Sequence, residues 1–203
     1  RQYIRQMYAE CEAASVREDI SGAPERTLFP PEHTLFFQSQ IMVTVPRKLP
    51  KLVVFDLDYT LWPFWVDTHV TPPFRKLNGQ VVDTGGKKIE FYPEVPQILQ
   101  TLQDLNIPIG VASRTGEVDG ANQLIQLFDW DKYFWQKEIY PGCKKTHFNS
   151  FKKSSGTPFE EMLFFDDEHR NIVDLQSFKV TAILVENGMT MKELQRGLDE
   201  FAK

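Results

Sequence analysis

Leu52-Val-Val-Phe55 is an unbroken apolar run of strand length that ends in Asp56-Leu57-Asp58-Tyr59-Thr60. An apolar run bounded by polar residues suits a strand buried on both faces, as in a parallel sheet covered by helices. In such an open sheet, functional side chains gather just beyond the carboxyl ends of the strands. Two carboxylates one residue apart at that edge repel each other unless a cation or a proton comes between them. The pair therefore asks for a metal, an acid–base role, or both. Either acid alone has a plainer reading, a strand-terminal turn in which Asp58 caps the following segment. The complete string, a buried strand followed by Asp-x-Asp-x-Thr, favours chemistry.

From here on the pattern alternates between strand and helix. Strands are expected at Lys51–Asp56, at Ile107–Ala112 before Ser113-Arg114-Thr115, and at Leu163–Phe165 before Asp166-Asp167. Val180–Val185 is a further strand, and Tyr133–Tyr140 is extended and leads into Pro141-Gly142-Cys143-Lys144. Pro93 opens a helix whose Ile98, Leu99, Leu102 and Leu105 share a face. Val118–Phe128, His169–Phe178 and Met191–Ala202 are also helical, and Phe159–Met162 is a short helical turn. Residues 61–92 form an insert with a β-hairpin placed around Thr84-Gly85-Gly86. The alternation implies a mainly parallel sheet covered on both faces. The strand ends at Asp56, Ser113 and Asp166/Asp167 should converge on one rim, with Lys144 on a neighbouring loop.

Residues 1–48 read as an N-terminal extension. Arg1 to Ile20 suits a charged, weakly amphipathic helix, and Ser21 to Pro31 is rich in turn formers and proline. Residues 1–41 are expected to be disordered or loosely packed, with Met42 as a native start. The remaining residues, 49–203, form one domain with core enough at 41% hydrophobic composition. A formal net charge of −5 gives no footprint for nucleic acid or an anionic membrane. No apolar run approaches the length of a membrane span. Cys11 and Cys143 make neither a disulfide framework nor a zinc pattern and suit a reducing compartment. The expectation is a monomer in the cytosol, with the nucleus left open.

Asp166-Asp167 repeats the logic of the first strand. Together with Asp56 and Asp58 it gives an all-oxygen donor set, which indicates a hard, small cation, most naturally Mg²⁺. The Ser113 hydroxyl and adjacent N–H groups could donate to a phosphoryl oxygen, or Ser113 or Thr115 could simply cap the next helix. Arg114 could touch substrate or bridge to an acid on the insert. Lys144 alone is a solvated lysine, but an anionic rim with a bound phosphate needs a fixed cation. His69, His147 and His169 lack ligand spacing and read as loop or helix-surface residues. Of Trp62, Phe64 and Trp65, at least two are expected to pack rather than stack on a ligand.

The ordered runs Lys51–Asp67, Ala112–Thr115, Gly120–Leu124 and Phe164–Glu168 resemble the motifs of the haloacid dehalogenase superfamily, in particular the eukaryotic magnesium-dependent phosphatases. That resemblance, over about residues 46–203, implies a three-layer, Rossmann-like α/β fold. It also implies a Mg²⁺-dependent phosphomonoester hydrolase with an aspartyl-phosphate intermediate. Asp56 would be the nucleophile. Asp58 would protonate the leaving oxygen and later deprotonate water. The Asp56 carboxylate, the Asp58 carbonyl and Asp167 would hold the metal, with Asp166 orienting Lys144 or serving as the alternative ligand. Leu57, Ser113, Arg114 and Lys144 would face the phosphoryl group, and Thr60 would fix the loop. An insert of about 30 residues makes a flap rather than a large cap domain. An open site would admit phosphotyrosine in proteins, aryl phosphates or phosphorylated sugar adducts such as fructosamine 6-phosphates. The rival readings are a phosphotransferase and a non-catalytic phosphate-binding module. The latter should have lost one of Asp56, Asp58, Lys144 or the second acid pair, and all are present.

Overall fold

The computed structural model describes residues 43–203; the expectations for residues 1–41, Met42 and Cys11 lie outside the described residues. Along the chain run strands β1 (Leu52–Phe55), β2 (Arg75–Leu77) and β3 (Gln80–Val82), then β4 (Ile109–Ser113), β5 (Phe134–Ile139), β6 (Met162–Asp166) and β7 (Thr181–Leu184). The helices are α1 (Val95–Asp104), α2 (Val118–Leu127), α3 (Lys144–Ser155), α4 (His169–Gln176) and α5 (Met191–Phe201). Five strands form a parallel sheet in the order β5-β4-β1-β6-β7.

Because side chains alternate across a strand, β1 feeds two cores. Val53 and Phe55 pack with α1, α2 and α5 through Ile98, Leu99, Leu124, Leu194 and Leu198. Leu52 and Val54 pack with α3 and α4 through Phe148, Phe151, Ile172 and Leu175. Helices thus cover both faces, giving the expected three layers. The chain steps outward from β1 to β4 and β5, then returns to lay β6 and β7 on the other side. At such a switch point the connections part to opposite faces and leave a crevice beyond the strand ends, here those of β1 and β6. Asp56 and Asp166/Asp167 stand there as a result of topology.

Two expectations need correction. The regular hairpin ladder lies between β2 and β3, pairing Leu77 with Gln80 around Asn78-Gly79, and the expected pairing around Gly85-Gly86 is present only in part, through Asp83 N to Lys87 O and Ile89 N to Val81 O. Asn78 and Gly79 have φ of 50° and 78°, the left-handed pair that a two-residue hairpin turn requires. The Gly85-Gly86 segment is a second turn, closed by Asp83 and Lys87, and contributes one isolated bridge, Val82 to Lys88. Lys144 is the first residue of a helix, not of a loop. The buried side of α3 is Lys144, His147, Phe148 and Phe151, a helical spacing in which two of the four positions are polar. An apolar-periodicity reading cannot see it.

Among the described residues no helix is long and apolar enough to cross a membrane. The terminal helix α5 opens with a side-chain cap, Thr190 Oγ1 accepting from Glu193 N at 3.1 Å. Its Gly197 lies against the core, where an added Cβ would stand 2.3 Å from Phe165 Cζ and 2.6 Å from Cε1. Gly197→Ala would stabilise an exposed helix interior by about 1 kcal/mol. Here it is expected to destabilise the protein by about 1–3 kcal/mol through overpacking, read as a lower urea midpoint at unchanged slope. An unchanged or higher midpoint would show that the Phe165 ring can move aside.

Candidate active site

Asp56 continues β1 by one residue, its N–H donating to Phe165 O on β6 at 2.9 Å. The chain then turns sharply. Leu57 O accepts from Thr60 N, Leu61 N and Trp62 N at 3.2, 2.8 and 3.3 Å, with Tyr59 at φ 53°. The Leu57 side chain is buried in the core, and Leu57 is not among the residues lining the adjacent cavity. Only its backbone is available to a ligand, so the expected contact does not involve its side chain. Thr60 is buried, its hydroxyl unpartnered among the described residues, and its carbonyl accepts from Met189 N at 2.9 Å. The loop is fixed through the Thr60 backbone rather than its hydroxyl.

The turn separates the two acids. Asp58 Oδ1 accepts from Trp62 Nε1 at 2.6 Å and from Val66 N at 3.3 Å. Trp62 is fully buried and stacks on Phe64 and Trp130 at centroid distances of 5.7 and 6.4 Å. Asp58 is thereby held by the hydrophobic core. Burial pushes its carboxyl up to about 6, with the Trp62 and Val66 hydrogen bonds pulling the other way. Near neutrality such a group can pass a proton in either direction.

Lys144 joins the strand ends. Its Nζ lies 2.5 Å from Asp56 Oδ1 and 3.0 Å from Asp166 Oδ2, and also donates to Ala112 O on β4. Burial opposes its charge, but Asp56 and Asp166 outweigh that and hold the ammonium above its ordinary value. For Asp56, burial is the main influence and pushes the carboxyl well up; Asp166 and Asp58 add to this while Lys144 opposes. An upward pull on both partners cannot leave both protonated in an ion pair. With Lys144 charged, the ionised Asp56 is the consistent state, and the push on its carboxyl comes first from burial and then from the carboxylates crowded around a single ammonium.

That crowding is what a metal site looks like from its protein side. Asp56, Asp166 and Asp167 each offer a carboxylate oxygen, all within 4.8 Å of one another. An oxygen-only, anionic donor set fits Mg²⁺. Asp166 is fully buried and already engaged: Oδ1 accepts from Glu168 N at 2.7 Å, and both oxygens accept from Asn171 Nδ2 at 3.0 Å. Asp167 instead lines the cavity, its carboxyl pushed up to about 6 by burial and then by Asp166 and Glu168.

Ser113 closes β4 and is buried, its Oγ accepting from Thr115 N at 3.3 Å, so its hydroxyl hydrogen is left to donate. Neither Ser113 nor Thr115 caps α2; Glu117 does, accepting from Gly120 N at 3.0 Å. Arg114 donates to Gly142 O at 2.7 Å and reaches Glu168 Oε2 and Asn171 Oδ1 at 3.4 Å each. The acid it bridges to therefore follows β6 and is not on the insert. These groups surround a cavity of about 310 Å³ lined also by Trp65, Asp67, Thr68 and Arg170. Trp62 and Phe64 pack, whereas Trp65 is 47% exposed.

Three functional neighbours were not anticipated from the sequence. Asn171 binds Asp166, Trp62 binds Asp58, and His147 is fully buried beneath Ser113. Asn171 sits on the first turn of α4, five residues after the Asp166 it binds, and nothing in the local sequence pattern singled it out. His147 is the correction to the reading of the histidines as surface residues; His69 and His169 are exposed as expected.

A family profile described as Acid Phosphatase matches residues 48–203. The chain is 57% identical over 157 residues to magnesium-dependent phosphatase 1 of Homo sapiens, covering 77% of this chain and 89% of that protein. It is 41% identical over 136 residues to a HAD-like hydrolase superfamily protein of Schizosaccharomyces pombe, covering 61% of this chain and 79% of that one. Among solved structures, a HAD-superfamily hydrolase from Ehrlichia chaffeensis shares the fold at TM-score 0.55 and 12% identity, covering 77% of this chain and 99% of that chain.

The donor set can be tested by titrating Mg²⁺ into the protein in a calorimeter. Asn171→Ala removes a partner of Asp166 and should weaken binding by about 10–100-fold. Asp167→Asn should weaken it further. Wild-type affinity in D167N would remove Asp167 from the metal site.

Proposed function

The chain belongs to the acid phosphatase family within the haloacid dehalogenase superfamily, and from that premise we propose that it is a Mg²⁺-dependent phosphomonoester hydrolase that works through an aspartyl phosphate on Asp56. One arrangement carries the reading. Asp56 stands at the end of β1 with the Lys144 ammonium 2.5 Å away, while Asp58, tethered by Trp62, lines the same cavity. A nucleophile, a proton carrier and a fixed cation thus share one pocket.

The Asp56 carboxylate, the Asp58 main-chain carbonyl and Asp167 would hold Mg²⁺, which when bound supplies positive charge to the phosphoryl oxygens and keeps the carboxylates ionised. A carboxylate oxygen of Asp56 bonds to phosphorus as the bond to the leaving oxygen breaks, and Asp58 gives that oxygen its proton. Asp58, now ionised, takes a proton from water as the water oxygen attacks phosphorus. The Asp56–phosphorus bond breaks, inorganic phosphate leaves and both acids are restored. Ser113 donates to a phosphoryl oxygen and Lys144 offsets its charge, which suits a reaction that depends on positioning and charge more than on covalent machinery. Asp166 keeps Lys144 in place, itself fixed by Asn171 and Glu168 N. Arg114 acts from the rim by holding the loop at Gly142.

The substrate class we favour is aryl phosphates, including protein phosphotyrosine. Trp65 offers an exposed flat ring at the cavity wall, stacked at 5.1 Å on His69 and edge-on to Tyr59 at 5.3 Å. Phosphorylated sugar adducts are the second class, because Asp67, Thr68 and Arg170 place hydrogen-bonding groups on the same wall.

With p-nitrophenyl phosphate as substrate, Asp56→Asn should lower kcat by about 10³-fold or more. Turnover in D56N at the wild-type rate would end the nucleophile assignment. Chelation with EDTA should abolish turnover and added Mg²⁺ restore it; activity that survives chelation would sink the metal dependence on its own. Trp65→Ala should raise KM for aryl phosphates by about 2–10-fold and leave sugar phosphates little changed. An equal loss on both classes would assign Trp65 a structural role.

A further inference from the structure

The helix that carries Lys144 begins without a side-chain cap, since Cys143 precedes it and makes no capping hydrogen bond. The Lys144 ammonium is nonetheless held between Asp56 and Asp166. One turn further on lies His147, fully buried although nothing in the chemistry proposed above uses it. Its ring stacks on Tyr140 at 4.2 Å with the planes 7° apart. Nε2 lies 3.0 Å from Ser113 O at the end of β4 and 3.1 Å from Tyr140 O, just past β5. Nδ1 lies 3.0 Å from Cys143 O.

A neutral imidazole carries one N–H. Two carbonyls face Nε2 and one faces Nδ1, so placing the hydrogen on Nε2 satisfies more of the surroundings. Burial, the largest influence on the ring, pulls its pKa below the ordinary value, and the Lys144 ammonium adds to this against the three carbonyls. A neutral ring with its hydrogen on Nε2 serves Ser113 O and Tyr140 O and leaves Nδ1 facing Cys143 O without a hydrogen between them. The same loop is gripped once more from the other side, where Arg114 Nε donates to Gly142 O. Ser113 O also accepts from Tyr140 N at 3.1 Å, so the β4 and β5 ends meet on the ring of His147.

We propose that His147 is a positioning residue, a buried Nε2–H donor that ties the ends of β4 and β5 to the first turn of α3. Through it the Ser113 hydroxyl and the Lys144 ammonium keep a fixed spacing. The catalytic consequence rests on the phosphatase reading; the hydrogen bonds do not. His147→Phe keeps a ring of similar bulk and loses the donor. It should lower kcat on p-nitrophenyl phosphate by about 10–100-fold, the cost of misplacing catalytic groups by an ångström or less, with a much smaller change in KM. His147→Gln places an amide nitrogen where Nε2 stood and should recover most of that loss, whereas His147→Asn should not.

Wild-type kcat in H147F would overturn the proposal, as would H147Q performing no better than H147F. A second measurement needs no turnover: ¹⁵N–¹H correlation spectra of the imidazole in the wild-type protein should show hydrogen on Nε2. A neutral ring protonated on Nδ1 would overturn the proposal even if H147F failed to fold. If the wild-type protein hydrolysed no phosphomonoester, the phosphatase reading would fail while the spectra still decided the clamp.

Discussion

The ion pair of Lys144 with Asp56 and Asp166 is the interaction on which the rest of the site depends. A buried ammonium is costly to desolvate and is tolerated only with anionic partners in good geometry. Here the partners come from the two central strands, β1 and β6, and the cation from the helix that follows β5. Losing either carboxylate would leave the ammonium short of a partner, and losing the ammonium would leave three carboxylates facing one another. The proposed nucleophile, its charge partner and the candidate metal ligands are thus one electrostatic unit spanning three segments distant in sequence.

The sheet order explains why those segments meet. The chain leaves β1 in one direction and resumes with β6 in the other, so the ends of adjacent strands open into a crevice that no helix fills. Asp56 is fixed there by a main-chain bond to Phe165, which continues the ladder one residue past the strand. Each acid then has its own anchor: Asp58 is tied to Trp62 in the core of the insert, and Asp166 to Asn171 on α4. Rigidity at this rim comes from the packed layers on both sides rather than from the loops themselves.

Much of this was legible in the sequence, and the exceptions have physical reasons. Buried parallel strands announce themselves as apolar runs, so β1, β4, β6 and β7 were readable, and the acids after β1 and β6 marked the rim. Helix α3 was hidden because its inward face is half polar: Lys144 and His147 occupy positions that periodicity reserves for apolar residues. The hairpin was read only in part because two glycine-containing turns follow each other, and the Asn78-Gly79 pair, whose backbone suits the strands' twist, adds the ladder between β2 and β3. Asn171, Trp62 and His147 carry no reactive pattern of their own. Their importance is that of partners, and a partner becomes visible only when the fold supplies the other half of the contact.

The aromatic stack of Trp62 with Phe64 and Trp130 has a consequence for how this protein can change over evolutionary time. Trp62 serves at once as core and as tether of Asp58, so a substitution there is felt by stability and by the proposed proton transfer together. Trp65, on the same short segment, faces the cavity and packs its ring against Tyr59 and His69. The outer face of the flap is therefore free to change at little cost to the core, whereas any change to the inner face is felt by the packing and by Asp58 at once.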